Sequence, residues 1–293
     1  MNIDVLVVGS ANRDWRATVD RLPRPGETLM AREAHFSGGG KGANQAVAAA
    51  RAGATVALVG ATGDDAVGRE LRAELEAAGV DTSELKSVVG VPTGTAFITV
   101  ASDGENVIVV DAGANHYASL DADRDDLRAL VVVAQAEVPV PVFAAAARLA
   151  ARHGARFVFN AAPVPSSIED VPRGADPLVV NEHEAAILLG SYSGDPEGLG
   201  QALLVATQAR SVVVTLGSRG SVTATNGGST RTAATPVERV VDTTGAGDTF
   251  TGALAAHLAL GRSLPEATSL AAEAAAESVG WQGARPPLAS ITN

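Results

Sequence analysis

No cysteine occurs in the 293 residues. That absence excludes disulfides, cysteine-ligated zinc, iron–sulfur clusters and a thiolate nucleophile together. Aromatic residues are scarce, at 3%. Trp15 and Trp281 stand outside any stacking series, which argues against a single-stranded nucleic-acid platform. Cations are outnumbered: 22 Lys and Arg against 33 Asp and Glu leave a formal charge of -11. A uniformly acidic surface repels phosphate backbones and anionic lipid, so neither nucleic acid nor a membrane is an expected partner. An anionic ligand must then be held locally, by backbone N–H groups and a few placed cations. Apolar runs are short, and none approaches the roughly 20 residues that cross a bilayer. The opening MNIDVLVVGS has neither the basic segment nor the longer apolar stretch of a secretory signal. The expectation is a cytoplasmic protein. His35, His116, His153, His183 and His257 are scattered without a metal-ligating partner at helical spacing, and are read as structural or surface residues.

What is present is a steady alternation. Short Val/Ile/Leu runs predict strands at Ile3–Val8, Thr55–Val59, Leu130–Val133, Arg156–Phe159, Leu178–Val180 and Val212–Leu216. Longer Ala/Leu segments predict helices at Gly42–Ala52, Asp65–Ala78, Val140–His153, Glu182–Leu189, Gly198–Gln208, Ala246–Leu260 and Pro265–Val279. Continuous apolar strands alternating with helices indicate an α/β fold with a parallel sheet covered on both faces. Two stretches break the rhythm. Trp15–Phe36 alternates around a Pro-Arg-Pro-Gly turn, and Thr95–Val110 reads as a hairpin turning at Ser102-Asp103-Gly104. They predict a small antiparallel flap, inserted at about residues 12–36 and 94–110 into one domain spanning 1–293.

The segment Asp242-Thr-Thr-Gly-Ala-Gly-Asp248-Thr-Phe precedes a strongly helical run. Glycines before a helix let N–H groups turn towards an anion, and the helix dipole favours negative charge there. An Asp in that position adds charge of the wrong sign for a simple anion site. The conflict resolves if Asp248 takes the proton of a hydroxyl attacking a phosphoryl group while the amides of Gly245, Ala246 and Gly247 hold the transferring charge. A Gly-rich loop with a capping Asp would give the same letters.

A second loop, Gly38-Gly-Gly-Lys41-Gly-Ala-Asn44-Gln, also opens a helix, but Gly42 stands where a Walker A loop needs Ser or Thr for Mg²⁺. The first strand ends Gly9-Ser-Ala-Asn12-Arg-Asp14, which is not a dinucleotide fingerprint. Asn12, Asp14, Lys41 and Asn44 are compact donors and acceptors suited to a polyhydroxylated ligand, although Asn12 and Asp14 would serve equally as turn builders. In Asn181-Glu-His-Glu184, Asn181 and Glu184 fall one turn apart. They could hold Mg²⁺ through its water shell or simply make an acidic helix start.

Taken in order, GSANRD at Gly9, GGKGANQAVAAARAGA at Gly39, TGDDAVG at Thr62, TGTAFI at Thr93, GENVI at Gly104, GAN at Gly113, NEHE at Asn181, TLGSRG at Thr215 and DTTGAGDTF at Asp242 resemble the ribokinase family of carbohydrate and nucleoside kinases. The resemblance runs from the first strand to about Pro287. It implies a three-layer α/β/α fold with a mostly parallel central sheet and a small β lid. The implied activity is transfer of the γ-phosphate of ATP to the 5-hydroxyl of D-ribose. Deoxyribose, fructose or a nucleoside are the alternative acceptors, and a non-catalytic sugar sensor is a more distant one.

The resemblance also implies roles for particular residues. Asn12, Asp14, Gly40, Lys41, Asn44 and Glu137 would form the sugar site, with Asp248 as base. Asn181, Thr215, Gly217, Ser218, Arg219, Gly220 and Gly247 would surround ATP, and Asn181 and Glu184 would hold Mg²⁺ through water. A K⁺ site would use Asp242, Thr244, Ser278, Trp281, Gly283 and Pro287, mainly through backbone carbonyls. Trp281 and Pro287 depart there from the family pattern, which has a basic and a hydroxyl residue. A homodimer joined through the lid is the implied assembly.

Overall fold

A computed structural model describes residues 3–190 and 194–286. In chain order the elements are β1 (Ile3–Val8), β2 (Asn12–Val19), β3 (Glu33–Gly39), α1 (Lys41–Arg51), β4 (Val56–Gly63), α2 (Ala66–Ala77), β5 (Val80–Asp81), β6 (Leu85–Val88), β7 (Gly94–Ala101) and β8 (Asn106–Asp111). They continue with β9 (Ala129–Gln135), α3 (Val140–His153), β10 (Arg156–Asn160), β11 (Leu178–Asn181), α4 (Glu182–Leu188), α5 (Pro196–Thr207), β12 (Ser211–Thr215), β13 (Ser221–Thr225), β14 (Gly228–Thr232), α6 (Ala246–Ala259) and α7 (Leu264–Ser278).

The larger sheet runs β14-β13-β12-β11-β10-β9-β1-β4-β5, with β6 pairing farther along β4. Every pair from β12 to β5 is parallel, and β13 and β14 add an antiparallel edge. Successive strand residues point to opposite faces. Val5 and Val7 of β1 therefore join Val47 of α1, Leu254 of α6 and Ala267 of α7 in one apolar cluster. Leu6 and Val8 join Phe143 of α3 and Leu203 of α5 in the other. Both faces need helical cover, which is why the strands read as unbroken apolar runs. The result is the three-layer α/β/α arrangement.

The predicted core strands and helices are present with shifted ends. Helix α5 starts at Pro196 and not at Gly198, because Asp195 caps it by accepting the Gly198 N–H at 2.7 Å. The short strands β5 and β6 and the β13–β14 hairpin were not predicted.

The second sheet has the order β3-β2-β7-β8. Strands β2 and β3 form one antiparallel ribbon and β7 and β8 another, but the ribbons meet through β2 and β7 in parallel, with Asp14 opposite Ala96. The expected antiparallel flap is thus a mixed sheet: chain-distant strands are free of the turn that forces a hairpin to be antiparallel. Alternation along β2 puts Asp14 and Arg16 on one face and Trp15 on the other. Trp15 lies between its register partners Phe36 and Phe97, and the three are 50%, 59% and 53% exposed. No helix among the described residues is long and apolar enough to cross a membrane.

Candidate active site

Helices α1 and α6 lie side by side, and Gly252 is where they touch: a Cβ there would meet the Gln45 carbonyl oxygen at 2.3 Å. That contact brings the first turns of both helices together. Asp248, in the first turn of α6 and buried, accepts hydrogen bonds from the side-chain amides of Asn44 and Gln45, each at 3.0 Å. The two amides fix the carboxylate's orientation and leave acceptor positions unused, since a carboxylate has about four. The Lys41 ammonium is held above its ordinary pKa, chiefly by the Asp248 charge, against the opposing effect of burial. The turn before α6 needs Gly245, whose φ is 77° and whose Cβ would meet Ala284 Cα at 2.6 Å.

Lys41, Asp248, Gly245 and Gly247 line a cavity of about 220 Å³ together with Asn181 and Glu184. Asn181 and Glu184 form a reciprocal cap: Asn181 Oδ1 accepts the Glu184 N–H and Glu184 Oε2 accepts the Asn181 N–H, both at 2.8 Å. The acidic helix start and the cavity-lining pair are therefore the same feature. Burial raises the Glu184 pKa, while the Asn181 N–H and the Lys41 charge oppose it. A carboxylate with unused acceptor positions beside an amide oxygen is a donor set that fits Mg²⁺ held through water.

Next to this cavity lies a larger, more apolar one of about 610 Å³. Thr215, Gly217, Ser218, Gly220 and Gly247 line it, as do Phe250 and Val279. Thr215 and Gly247 line both cavities, so a planar apolar group in one and an anionic tail in the other could be continuous. Arg219 is absent from both linings and its guanidinium is turned to Glu182.

On the other side of Asp248 stand the lid residues. Gly39 lets the Asp14 carboxyl in: a Cβ would lie 2.1 Å from Asp14 Oδ1. Burial pushes the Asp14 pKa up to about 7, aided by the charges of Glu137 and Asp248 and opposed by Arg285. Gly40, with φ 85°, starts α1 against the backbone of Ala11 and Asn12. Glu137 accepts the Lys41 N–H at 3.0 Å and the Ser10 hydroxyl, which anchors the start of α1. Asn12 is buried and accepts from the Asn115 amide at 2.7 Å. A buried base, one lysine, a helix N-terminus and a ring of carboxylates and amides together can activate a hydroxyl next to a held phosphate.

Comparison with known proteins agrees. The pattern of the pfkB family carbohydrate kinases matches residues 2–291. The chain belongs to that family. A ribokinase of Haemophilus influenzae is 35% identical over 98% of this chain and 96% of its own length. A deoxyribokinase of Salmonella typhi is 31% identical over 99% and 96%. The solved structure of Arabidopsis thaliana ribokinase complexed with ribose and ATP superposes with a TM-score of 0.87, at 33% identity, covering 99% of this chain and 98% of that one.

Within this pfkB family fold, three side chains at the site were missed in the sequence. Gln45 lies inside a motif quoted above, one residue past Asn44, and helical spacing alone does not show that both reach Asp248. Asn115 lies in the GAN motif and cross-links the loop after β8 to Asn12 and, through Oδ1, to the Ala11 N–H at 3.0 Å. Arg285 had no sequence signal. Its Nε donates to Asn44 Oδ1 at 2.8 Å and a terminal nitrogen donates to the Gly39 carbonyl at 2.6 Å, which fixes which end of the Asn44 amide faces Asp248. Burial lowers the Arg285 pKa to about 10, against the charges of Glu74, Asp14 and Asp248.

Of the residues implied for a K⁺ site, Pro287 lies outside the described residues. Of the others, the Asp242 and Ser278 side chains already have partners within the protein. Asp242 Oδ1 accepts the Thr244 N–H at 3.0 Å and the Thr244 hydroxyl at 2.7 Å. Asp242 Oδ2 accepts the Gly283 N–H at 3.0 Å and the Arg16 guanidinium. Ser278 donates to the Ala275 carbonyl at 2.7 Å, and the Trp281 ring lies 5.3 Å from the Arg51 guanidinium carbon. All four acceptor positions of Asp242 are thus taken by protein donors, one of them a cation.

Proposed function

We infer that this chain is an ATP-dependent ribokinase, transferring the γ-phosphate of ATP to the 5-hydroxyl of D-ribose to give ribose 5-phosphate and ADP. The observation that carries the mechanism is Asp248: a buried carboxylate oriented by two amides, at a glycine-opened helix start, between the lid carboxyl of Asp14 and a cavity that shares Thr215 and Gly247 with an apolar pocket. Similarity to ribokinases over nearly the whole chain supports ribose as acceptor.

Asp14, Asn12, Gly40, Lys41, Asn44 and Glu137 orient the sugar, as donors and acceptors matched to its hydroxyls. Asp248 accepts the 5-hydroxyl proton as the O5–phosphorus bond forms and the bond to the β-phosphate oxygen breaks, releasing ADP. The N–H groups of Gly245 and Gly247 and the Lys41 ammonium stabilise charge on the transferring group, whereas the Ala246 N–H, expected to join them, donates to the Thr243 carbonyl at 3.3 Å. Asn181 and Glu184 would hold Mg²⁺, which supplies neutralisation of phosphate charge when bound. Thr215, Gly217, Ser218 and Gly220 border the nucleoside.

Deoxyribose is the second acceptor to test, because a deoxyribokinase is nearly as similar; a site that hydrogen-bonds the 2-hydroxyl should discriminate strongly against a sugar lacking it, whereas a site that leaves it unpaired should not. The exposed row Phe36–Trp15–Phe97 supports a homodimer joined through the lid. Use of ATP fits a cytoplasmic setting. The test is ADP release from Mg·ATP with ribose, deoxyribose, fructose or adenosine as acceptor. The highest kcat/KM is expected for ribose. Preference for another acceptor would move the assignment within the family, and ribose binding without turnover would favour a sensor.

A further inference from the structure

The Asp242 carboxylate is the anchor of the loop that carries the phosphate-binding amides. Its Oδ1 ties down Thr244, its Oδ2 ties down Gly283, and the backbone N–H of Val241 donates to the Val279 carbonyl at 2.8 Å. Ala284, next to Gly283, is the residue against which Gly245 packs. One buried negative charge therefore organises both walls behind the amides of residues 245–247, and a buried charge needs a counter-charge. Arg16 provides it. It arrives from β2 of the lid, two residues beyond Asp14 and on the same face of the strand. The side chains of the pair are 18% and 7% exposed, so the interaction is little screened by water. Burial would raise the Asp242 pKa, but the donors on Thr244, Gly283 and Arg16 outweigh it and keep the group below the usual carboxylate range.

We propose that Arg16 is a built-in cation: its guanidinium supplies, from the lid, the positive charge that a bound K⁺ would otherwise supply to the Asp242 loop, so that turnover does not depend on a monovalent cation. The inference rests on the kinase reading above and departs from what family resemblance implies for this site. Arg16 is a positioning residue, because it acts on the phosphate-binding amides through Asp242 and lines neither cavity. Its place on β2 has a further consequence. The strand that brings Asp14 to the sugar also completes the loop facing the phosphate, so the two halves of the site are seated by one element.

The experiment compares wild type, Arg16→Met and Arg16→Lys in matched KCl and tetramethylammonium chloride, reading kcat, ribose KM and thermal midpoint. Wild type is expected to show the same kcat and midpoint in both salts. Arg16→Met is expected to lose about ten-fold or more in kcat without K⁺, less than the roughly 10²–10³-fold that removing a direct donor to the transition-state charge costs, because Arg16 acts through Asp242. K⁺ should restore part of that loss and raise the variant's midpoint, with ribose KM moving less than kcat. Arg16→Lys, which keeps the charge, should retain most activity without K⁺. Steep activation of wild type by K⁺ would overturn the proposal, and so would an Arg16→Met enzyme as active as wild type in its absence. If Arg16→Met does not fold, the salt series on wild type and Arg16→Lys decides. If no sugar is phosphorylated at all, the kinase reading fails separately. The salt dependence of the midpoints still reads the Arg16 charge.

Discussion

Asp248 and Asp14 are both buried carboxyl groups, and their surroundings give them different work. Two amides orient Asp248 towards the cavity, whereas Asp14 is enclosed by a glycine and other carboxylates with Arg285 as partial compensation. Asp248→Asn should lower kcat by two to four orders of magnitude, about the range for loss of a general base, while ribose affinity stays within a few-fold. Steady-state kinetics and equilibrium ribose binding check both halves. For Asp14 the sign follows from its raised pKa. Between the ordinary value of 3.8 and about 7 the folded chain holds a proton that the unfolded chain has released. Stability therefore falls as pH rises through that window and is flat above it. Asp14→Asn should melt higher than wild type at pH 8, with little gain at pH 4, and should bind ribose more weakly. Thermal melts at the two pH values test this. Asp248 was legible in the sequence because a negative charge in an anion-holding loop is a conflict that catalysis resolves. Gln45 and Arg285 were not, since their roles come from helix contact and chain-distant packing that no local spacing encodes.

Among the elements, the start of α6 offers the sharpest contrast, because its two glycines do different things. Gly245 has a left-handed backbone and no room for a Cβ, whereas a Cβ on Gly247 would have nothing within 4 Å. Gly245→Ala should destabilise the fold. Gly247→Ala should keep or raise the thermal midpoint, since Ala favours a helix by about 1 kcal/mol over Gly. It should nevertheless lower kcat strongly by filling the space kept for phosphate. Melting curves beside kcat values separate these outcomes. The central strands and helices were legible because burial on both faces writes itself into unbroken apolar runs. The β13–β14 edge was not: Thr, Ser and Gly dominate it, and β14 is largely exposed. The parallel union of β2 and β7 was hidden for another reason, since it joins segments that no turn connects.

At the scale of the molecule, the larger sheet sets α1, α4 and α6 around two adjoining cavities, and the mixed lid sheet brings Asp14 near Asp248 and Arg16 to Asp242. The family could be read from motifs spread along the whole chain, and the comparisons bear it out. The Arg16–Asp242 pair joins a lid arginine to a loop 226 residues away in sequence, which only the fold discloses. The lid's exposed aromatic row predicts that a charged substitution, Trp15→Glu, will shift sedimentation towards monomer if the lid joins two copies. An unchanged sedimentation coefficient would place the interface elsewhere or show that there is none. In the proposed reaction Asp248 directs the γ-phosphate of ATP onto one hydroxyl of one sugar. Its most direct test is ³¹P and ¹³C NMR of the product formed from ribose and Mg·ATP. A single phosphate ester on C5 is expected, matched mole for mole by ADP. An ester on another carbon, or ADP without any sugar phosphate, would contradict it.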